Sequence, residues 1–203
     1  MISFQKRFLF VHIPKTGGNS IQAVLRQYSE QEIVAAHSHQ DGTERFAVRD
    51  PKYKIKKHSP LRAYRDALGD DQFSKLYKFT CIRNPWDRMV SYYFTPTQSP
   101  ETWNRKKFRK VISKAVSVAD YLRLDKGEED PFENVDYIMR FENLASDFRT
   151  VCEALSISPP TLPQYNRSNR EHYSKYYDDE LREFVRARFV AEIERFGYKF
   201  EEK

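Results

Sequence analysis

The sequence predicts an α/β fold, a central mostly parallel sheet with helices on both faces, and three observations carry that prediction. Near-continuous apolar runs at Phe8–Ile13 and Leu76–Ile82 have the character of strands buried on both sides. Between and after them apolar residues recur at helical spacing, as at Ile21, Val24, Leu25 and Tyr28. The two kinds of segment alternate along the chain, the pattern of parallel strands joined by crossover helices. With 203 residues and 39% apolar content, one domain spanning residues 1–203 can bury a core.

Element by element, strand Phe8–Ile13 leads into helix Ser20–Tyr28, and Glu32–Ala36 reads as a short second strand. A polar stretch rich in Asp, Gly and Lys then runs to Lys57. Ser59 and Pro60 open a helix, as cap and first-turn proline, that reaches Leu68 and stops at Gly69. Strand Leu76–Ile82 follows. Asn84 and Pro85 repeat the cap-and-proline signal for a helix through about Phe94. Thr95–Asn104 reads as a loop, Lys107–Ala115 and Ser117–Leu124 as helices, with Ser117 and Asp120 spaced like a capping box. After an acidic turn at Asp125–Asp130 come strand Val135–Phe141 and helix Leu144–Leu155. Asp178–Phe196 reads as one long amphipathic helix, ended by Gly197.

Composition excludes several classes. No run approaches the roughly 18 apolar residues of a membrane span, and Phe8–Ile13 is too short for the core of a signal peptide. The two cysteines, Cys81 and Cys152, suit neither a zinc cluster nor a disulfide framework, which fits a reducing compartment. A net charge of +6 favours anionic partners without choosing among them.

Two strand-to-helix junctions are built for anions. The first is His12-Ile13-Pro14-Lys15-Thr16-Gly17-Gly18-Asn19-Ser20. Its glycines allow a tight turn and close approach of backbone to ligand. The unpaired amides and dipole of the following helix favour negative charge, with Lys15 as a mobile cation and Thr16, Asn19 and Ser20 as side-chain donors. The order differs from G-x-x-x-x-G-K-[ST], because here the lysine precedes the glycines; that separates the chain from a metal-dependent P-loop kinase or NTPase, its nearest enzymatic alternative. The second junction is Ile82-Arg83-Asn84-Pro85-Trp86-Asp87-Arg88-Met89-Val90-Ser91. Arg83 stands at a strand exit, where its planar fork can take a phosphate, and Ser91 lies two turns into the helix. Read alone, this junction is a capped helix carrying a surface ion pair.

Together the two junctions resemble the PAPS-dependent sulfotransferases (PAPS is 3′-phosphoadenosine 5′-phosphosulfate), in particular the carbohydrate-type branch with the uronyl 2-O-sulfotransferases and small bacterial relatives. The first junction is similar to that family's 5′-phosphosulfate loop, the second to its 3′-phosphate motif, in which an arginine and a serine eight residues later hold the 3′-phosphate. The likeness runs on through Val135–Leu144 and Tyr177–Tyr198. Asn19 departs from it, standing where relatives carry threonine.

The resemblance implies the P-loop-like sulfotransferase fold, PAPS as donor, no metal, and transfer of a sulfuryl group to an acceptor hydroxyl, with a carbohydrate or glycoconjugate as acceptor. It assigns Lys15 to the leaving phosphate, the Gly17–Ser20 amides to the 5′-phosphate, and Arg83 and Ser91 to the 3′-phosphate. A hydroxyl acceptor also requires a base, and histidine suits that work near neutral pH. His58 is favoured, since it precedes a helix cap and falls between the two motifs; His37 and His39 are the alternatives. His12 belongs to the first strand and shapes the loop, and His172 completes the histidines. Glu142 is a candidate to orient a base or an acceptor, with a structural ion pair the plainer reading, and the loop Gln164–Arg170, with Asn166, Arg167, Ser168 and Arg170, is a candidate cover for the nucleotide. A nucleic-acid-binding module is disfavoured, because there is no zinc finger or RRM signature and the basic residues are scattered among acids.

Overall fold

In the computed structural model, residues 1–38, 44–50, 52–94, 102–159, 161–163 and 170–203 are described. The main sheet has the order β1-β2-β5-β6, from β1 (Ile2–Ser3), β2 (Phe8–Val11), β5 (Tyr77–Ile82) and β6 (Tyr137–Arg140). β2, β5 and β6 run parallel, with Val11 opposite Thr80 and Ile82 opposite Arg140, while β1 closes one edge antiparallel. The three parallel strands therefore end side by side, and their carboxyl ends are where such sheets place ligands.

Alternation along the strands sends side chains to two separate cores. Leu9, Val11 and Ile82 pack on α2 (Leu61–Leu68), α3 (Asp70–Ser74) and α6 (Val118–Leu122). Phe8, Phe10, Phe79 and Cys81 face the opposite way, onto α1 (Gly18–Leu25) and α7 (Leu144–Ala154). Helices thus cover both faces, as the sequence predicts. Each fully buried side chain here contributes on the order of 1.5–3 kcal/mol. A third, aromatic-rich cluster joins α4 (Pro85–Tyr93), α5 (Arg105–Lys114), α8 (Asp179–Arg188) and α9 (Val190–Phe196). Cys81 and Cys152 are buried and free. Among the described residues no helix is long and apolar enough to cross a membrane.

Four local expectations need correcting. The polar stretch before Lys57 contains a strand: β3 (Glu32–Ser38) pairs antiparallel with β4 (Glu44–Arg49) in a separate two-stranded sheet. The period-two pattern of Phe46 and Val48 was the available signal. The long C-terminal helix is two helices, broken at Phe189 (φ −119°, ψ 31°), whose side chain is buried while Arg188 Nη2 donates to the Ala115 carbonyl. Core burial of one ring outweighs continuity of one helical turn. Ser59 does not cap α2; its hydroxyl accepts from the Lys56 amide at 2.9 Å and closes the turn before the helix. α3, directly after Gly69, was not foreseen. Asn84, by contrast, caps α4 as expected, its side chain accepting from the Trp86 and Asp87 amides. The proposed loop at Thr95–Asn104 lies outside the described residues at 95–101.

Candidate active site

β2 ends at Val11, and residues 12–17 form the loop that feeds α1. Two of its backbone positions are left-handed, Lys15 (φ 69°) and Gly17 (φ 87°), the second being the N-cap of α1. A Cβ on Gly17 would lie 2.9 Å from Leu144 Cδ2, and one on Gly18 only 2.2 Å from His12 Cδ2. Gly17 is favoured by its left-handed backbone and Gly18 by the His12 ring that fills the space a Cβ would take. Thr16 is fully buried and its Oγ1 donates to the Ile13 carbonyl at 2.8 Å. Its hydroxyl therefore braces the loop from within, and its amide stands beside those of Gly17 and Gly18. Asn19 is partly exposed and Ser20 buried in the first turn of α1.

The second junction meets the first directly. Arg83 leaves β5 beside the loop, and its Nη1 donates to the Lys15 carbonyl at 3.2 Å. Its guanidinium also lies 3.9 Å over the Phe141 ring and pairs with Asp87, Nη2 to Oδ2 at 2.6 Å. Arg170 reaches Asp87 from the other side, so one carboxylate is flanked by two guanidiniums. The expected surface ion pair is in fact largely buried, with 11% and 19% side-chain exposure for Arg83 and Asp87. Although burial opposes its charge, the two arginines hold the Asp87 carboxyl below its usual range. Ser91 is buried on α4, two turns further on.

Arg88 was missed. It is 1% exposed, yet its Nε donates to the Pro14 carbonyl at 3.2 Å and its Nη2 to the Val116 carbonyl at 3.1 Å.

His58 sits against the same loop. Its Nδ1 lies 2.8 Å from the His12 carbonyl and its ring centroid 4.5 Å from that of His12. A carbonyl only accepts, so Nδ1 carries the proton and Nε2 is the basic nitrogen. Burial first, and then the charges of Lys57, Arg88 and Lys15, bring its pKa down to about 4 against the bond to the His12 carbonyl. At neutral pH the ring is neutral, the form a base requires. His12 itself is buried, its Nδ1 2.8 Å from Gln22 Oε1.

The remaining candidates fall elsewhere. His37 lies on β3, opposite Arg45 in the hairpin, and His39 lies outside the described residues. His172 caps the short helical turn at Tyr173–Tyr176. Glu142 makes two hydrogen bonds: its Oε1 accepts from the Asn84 amide at 2.7 Å and its Oε2 from the Tyr198 hydroxyl at 3.2 Å. It pins the second junction to the C-terminal segment. Of the loop Gln164–Arg170 only Arg170 is described, with Asn166, Arg167 and Ser168 outside. Among the described residues no group of three or more His, Cys, Asp or Glu is placed to hold a metal ion.

The arrangement is thus a left-handed, glycine-bearing loop at a helix N-terminus, a lysine on that loop, arginines crossing to it from the adjacent strand exit and helix, and a neutral histidine beneath it. No curated protein matches the chain. Residues 1–199 match the family model described as Sulfotransferase family.

Proposed function

Since the chain belongs to the sulfotransferase family, whose reaction is transfer of a sulfuryl group, we propose that its donor is PAPS and its acceptor a hydroxyl of a carbohydrate or glycoconjugate. The observation that carries this reading is the hydrogen bond from Arg83 to the Lys15 carbonyl. It ties together the two junctions, each suited to a different phosphate of the same nucleotide.

In this reading the amides of Gly17, Gly18, Asn19 and Ser20 take the 5′-phosphate, while Arg83 and Ser91 take the 3′-phosphate, which distinguishes the donor from ATP. Arg170, already beside Arg83 through Asp87, adds a second cation there. The acceptor oxygen attacks sulfur in line as the bond from sulfur to the bridging phosphate oxygen breaks. The acceptor's proton passes to His58 Nε2, and adenosine 3′,5′-bisphosphate leaves. Charge grows on the bridging oxygen, and Lys15 stabilises it. Positioning and electrostatics supply the catalysis. The site lies in one domain, residues 1–203, and works in the cytoplasm on this reading.

Calorimetry and a labelled-sulfate assay test it. Adenosine 3′,5′-bisphosphate should bind more tightly than ATP with magnesium, and Lys15→Ala and His58→Ala should each abolish most transfer to sugar acceptors while leaving the fold intact. Preference for ATP with magnesium would instead make the chain a kinase-like enzyme; strong salt-sensitive nucleic-acid binding, indifferent to the bisphosphate, would make it a nucleic-acid module.

A further inference from the structure

Between the donor loop and His58 stands a buried imidazole to which the reaction assigns no step. His12 is 3% exposed, and it is held from three sides. Its Nδ1 lies 2.8 Å from Gln22 Oε1 on α1; its ring lies so close to Gly18 that even a methyl group there would overlap it; and its ring meets that of His58 edge to face, at 72°. Because an amide oxygen only accepts, His12 Nδ1 donates to Gln22.

Gln22 makes this arrangement costly. It is fully buried, and with Oε1 turned to His12 its Nε2 has no hydrogen-bond partner among the described residues. An unsatisfied buried donor costs about 1–3 kcal/mol, and an apolar side chain of similar size would avoid that cost. Unsatisfied polar groups kept in place of better packing call for an explanation, and what Gln22 achieves here is to fix the His12 ring.

We propose that His12 is a positioning residue for His58, a wall pinned by Gln22 and backed by Gly18 that keeps the His58 ring in the one orientation where Nδ1–H bonds the His12 carbonyl and Nε2 is basic. The proposal rests on the reading of His58 as the base only for its kinetic consequence; the tautomer of His58 is a property of the resting protein. The groups facing His58 are His12 from the end of β2, Lys15 from the donor loop, Lys57 from its own turn and Arg88 from α4. The three cations act on its charge, whereas His12 acts on its orientation.

The decisive variant is Gln22→Leu, which removes the pin and the orphaned amide together. Thermal stability should hold or rise, so a folding defect does not confuse the result. Nitrogen NMR of histidine-labelled protein should show His58 change from a single Nδ1–H tautomer to a mixture. With PAPS, kcat should fall about tenfold while KM for the donor moves by less than about threefold, the split expected when orientation is lost and binding is not. His12→Ala should give the same tautomer mixture where it folds. A single unchanged His58 tautomer in Gln22→Leu overturns the proposal. His58→Ala separates this from the reading it rests on: full activity there removes His58 as base, while the tautomer measurement still decides the role of His12.

Discussion

Arg88 Nε donates to the Pro14 carbonyl, and one residue further along the loop Arg83 Nη1 donates to the Lys15 carbonyl, each at 3.2 Å. Two arginines from one junction therefore hold consecutive peptide groups of the other. With these carbonyls drawn to one side, the loop is braced as a unit. Arg88→Met keeps much of the volume and removes both bonds. Leaving the Pro14 and Val116 carbonyls without that donor should cost about 2 kcal/mol in urea unfolding and weaken binding of adenosine 3′,5′-bisphosphate. Unchanged affinity would show that the loop holds its shape without this brace.

Arg83→Ala should lower affinity for the bisphosphate by roughly 10–100-fold, the scale of a lost hydrogen bond to a charged group. Arg83→Lys should recover little, because lysine can supply charge but neither the fork nor the stacking on Phe141. Titration calorimetry with the nucleotide lacking its 3′-phosphate adds the control: the loss of affinity for that ligand should be much smaller, limited to the bond from Arg83 to the Lys15 carbonyl.

The glycines offer a comparison. Gly18→Ala drives a methyl into the His12 ring and should destabilise the protein by about 2 kcal/mol or more. Gly69, at φ 76° and ψ 156° with nothing within 4 Å of an added Cβ, carries a backbone cost alone, about 1–3 kcal/mol in a region nearly closed to residues with a Cβ. Both alanine variants should be destabilised in denaturant unfolding, and only Gly18→Ala should impair transfer.

The depressed pKa of His58 has a direction in pH. Folded His58 protonates near pH 4 and an unfolded histidine near 6.5, so between those values the unfolded chain binds more protons. Stability is accordingly complete above pH 6.5 and is lost as pH falls toward 4, by about 3 kcal/mol from this group, with buried His12 acting in the same direction. In His58→Gln the slope of unfolding free energy across that window should be visibly shallower.

Ligand binding should reverse part of that depression. The cations lowering the His58 pKa are Lys57, Arg88 and Lys15, and a bound polyanion would offset them. Calorimetry at pH 5 in buffers of differing ionisation enthalpy should then report proton uptake with adenosine 3′,5′-bisphosphate, reduced in His58→Gln. Equal heats across the buffers would show that the histidine does not sense the donor site.

Much of this was legible in the chain because it is local. Phe8–Val11 is apolar throughout and Tyr77–Ile82 largely so, broken by Lys78 and Thr80, since the sheet is covered on both faces, and Asn84-Pro85 and Lys15-Thr16-Gly17-Gly18 announce their turns through backbone requirements of single residues. Arg88 and Gln22 were silent for the opposite reason. Each looks like an ordinary polar helix residue until a carbonyl or an imidazole from elsewhere in the chain is brought against it. The break at Phe189 is of the same kind, since helical periodicity runs through it and only the core claims the ring.

By itself the sequence determined the α/β layering, the two strand-to-helix turns and the residue types suited to anions, all set by periodicity and by local backbone sterics. Only the tertiary structure decided that Arg83 and Arg88 brace the lysine loop, that Thr16 turns its hydroxyl inward, and that His58 rests on the His12 carbonyl as a neutral ring. Those outcomes depend on contacts between residues up to 74 positions apart and on the loss of water around them, and neither is encoded in any short stretch of the chain.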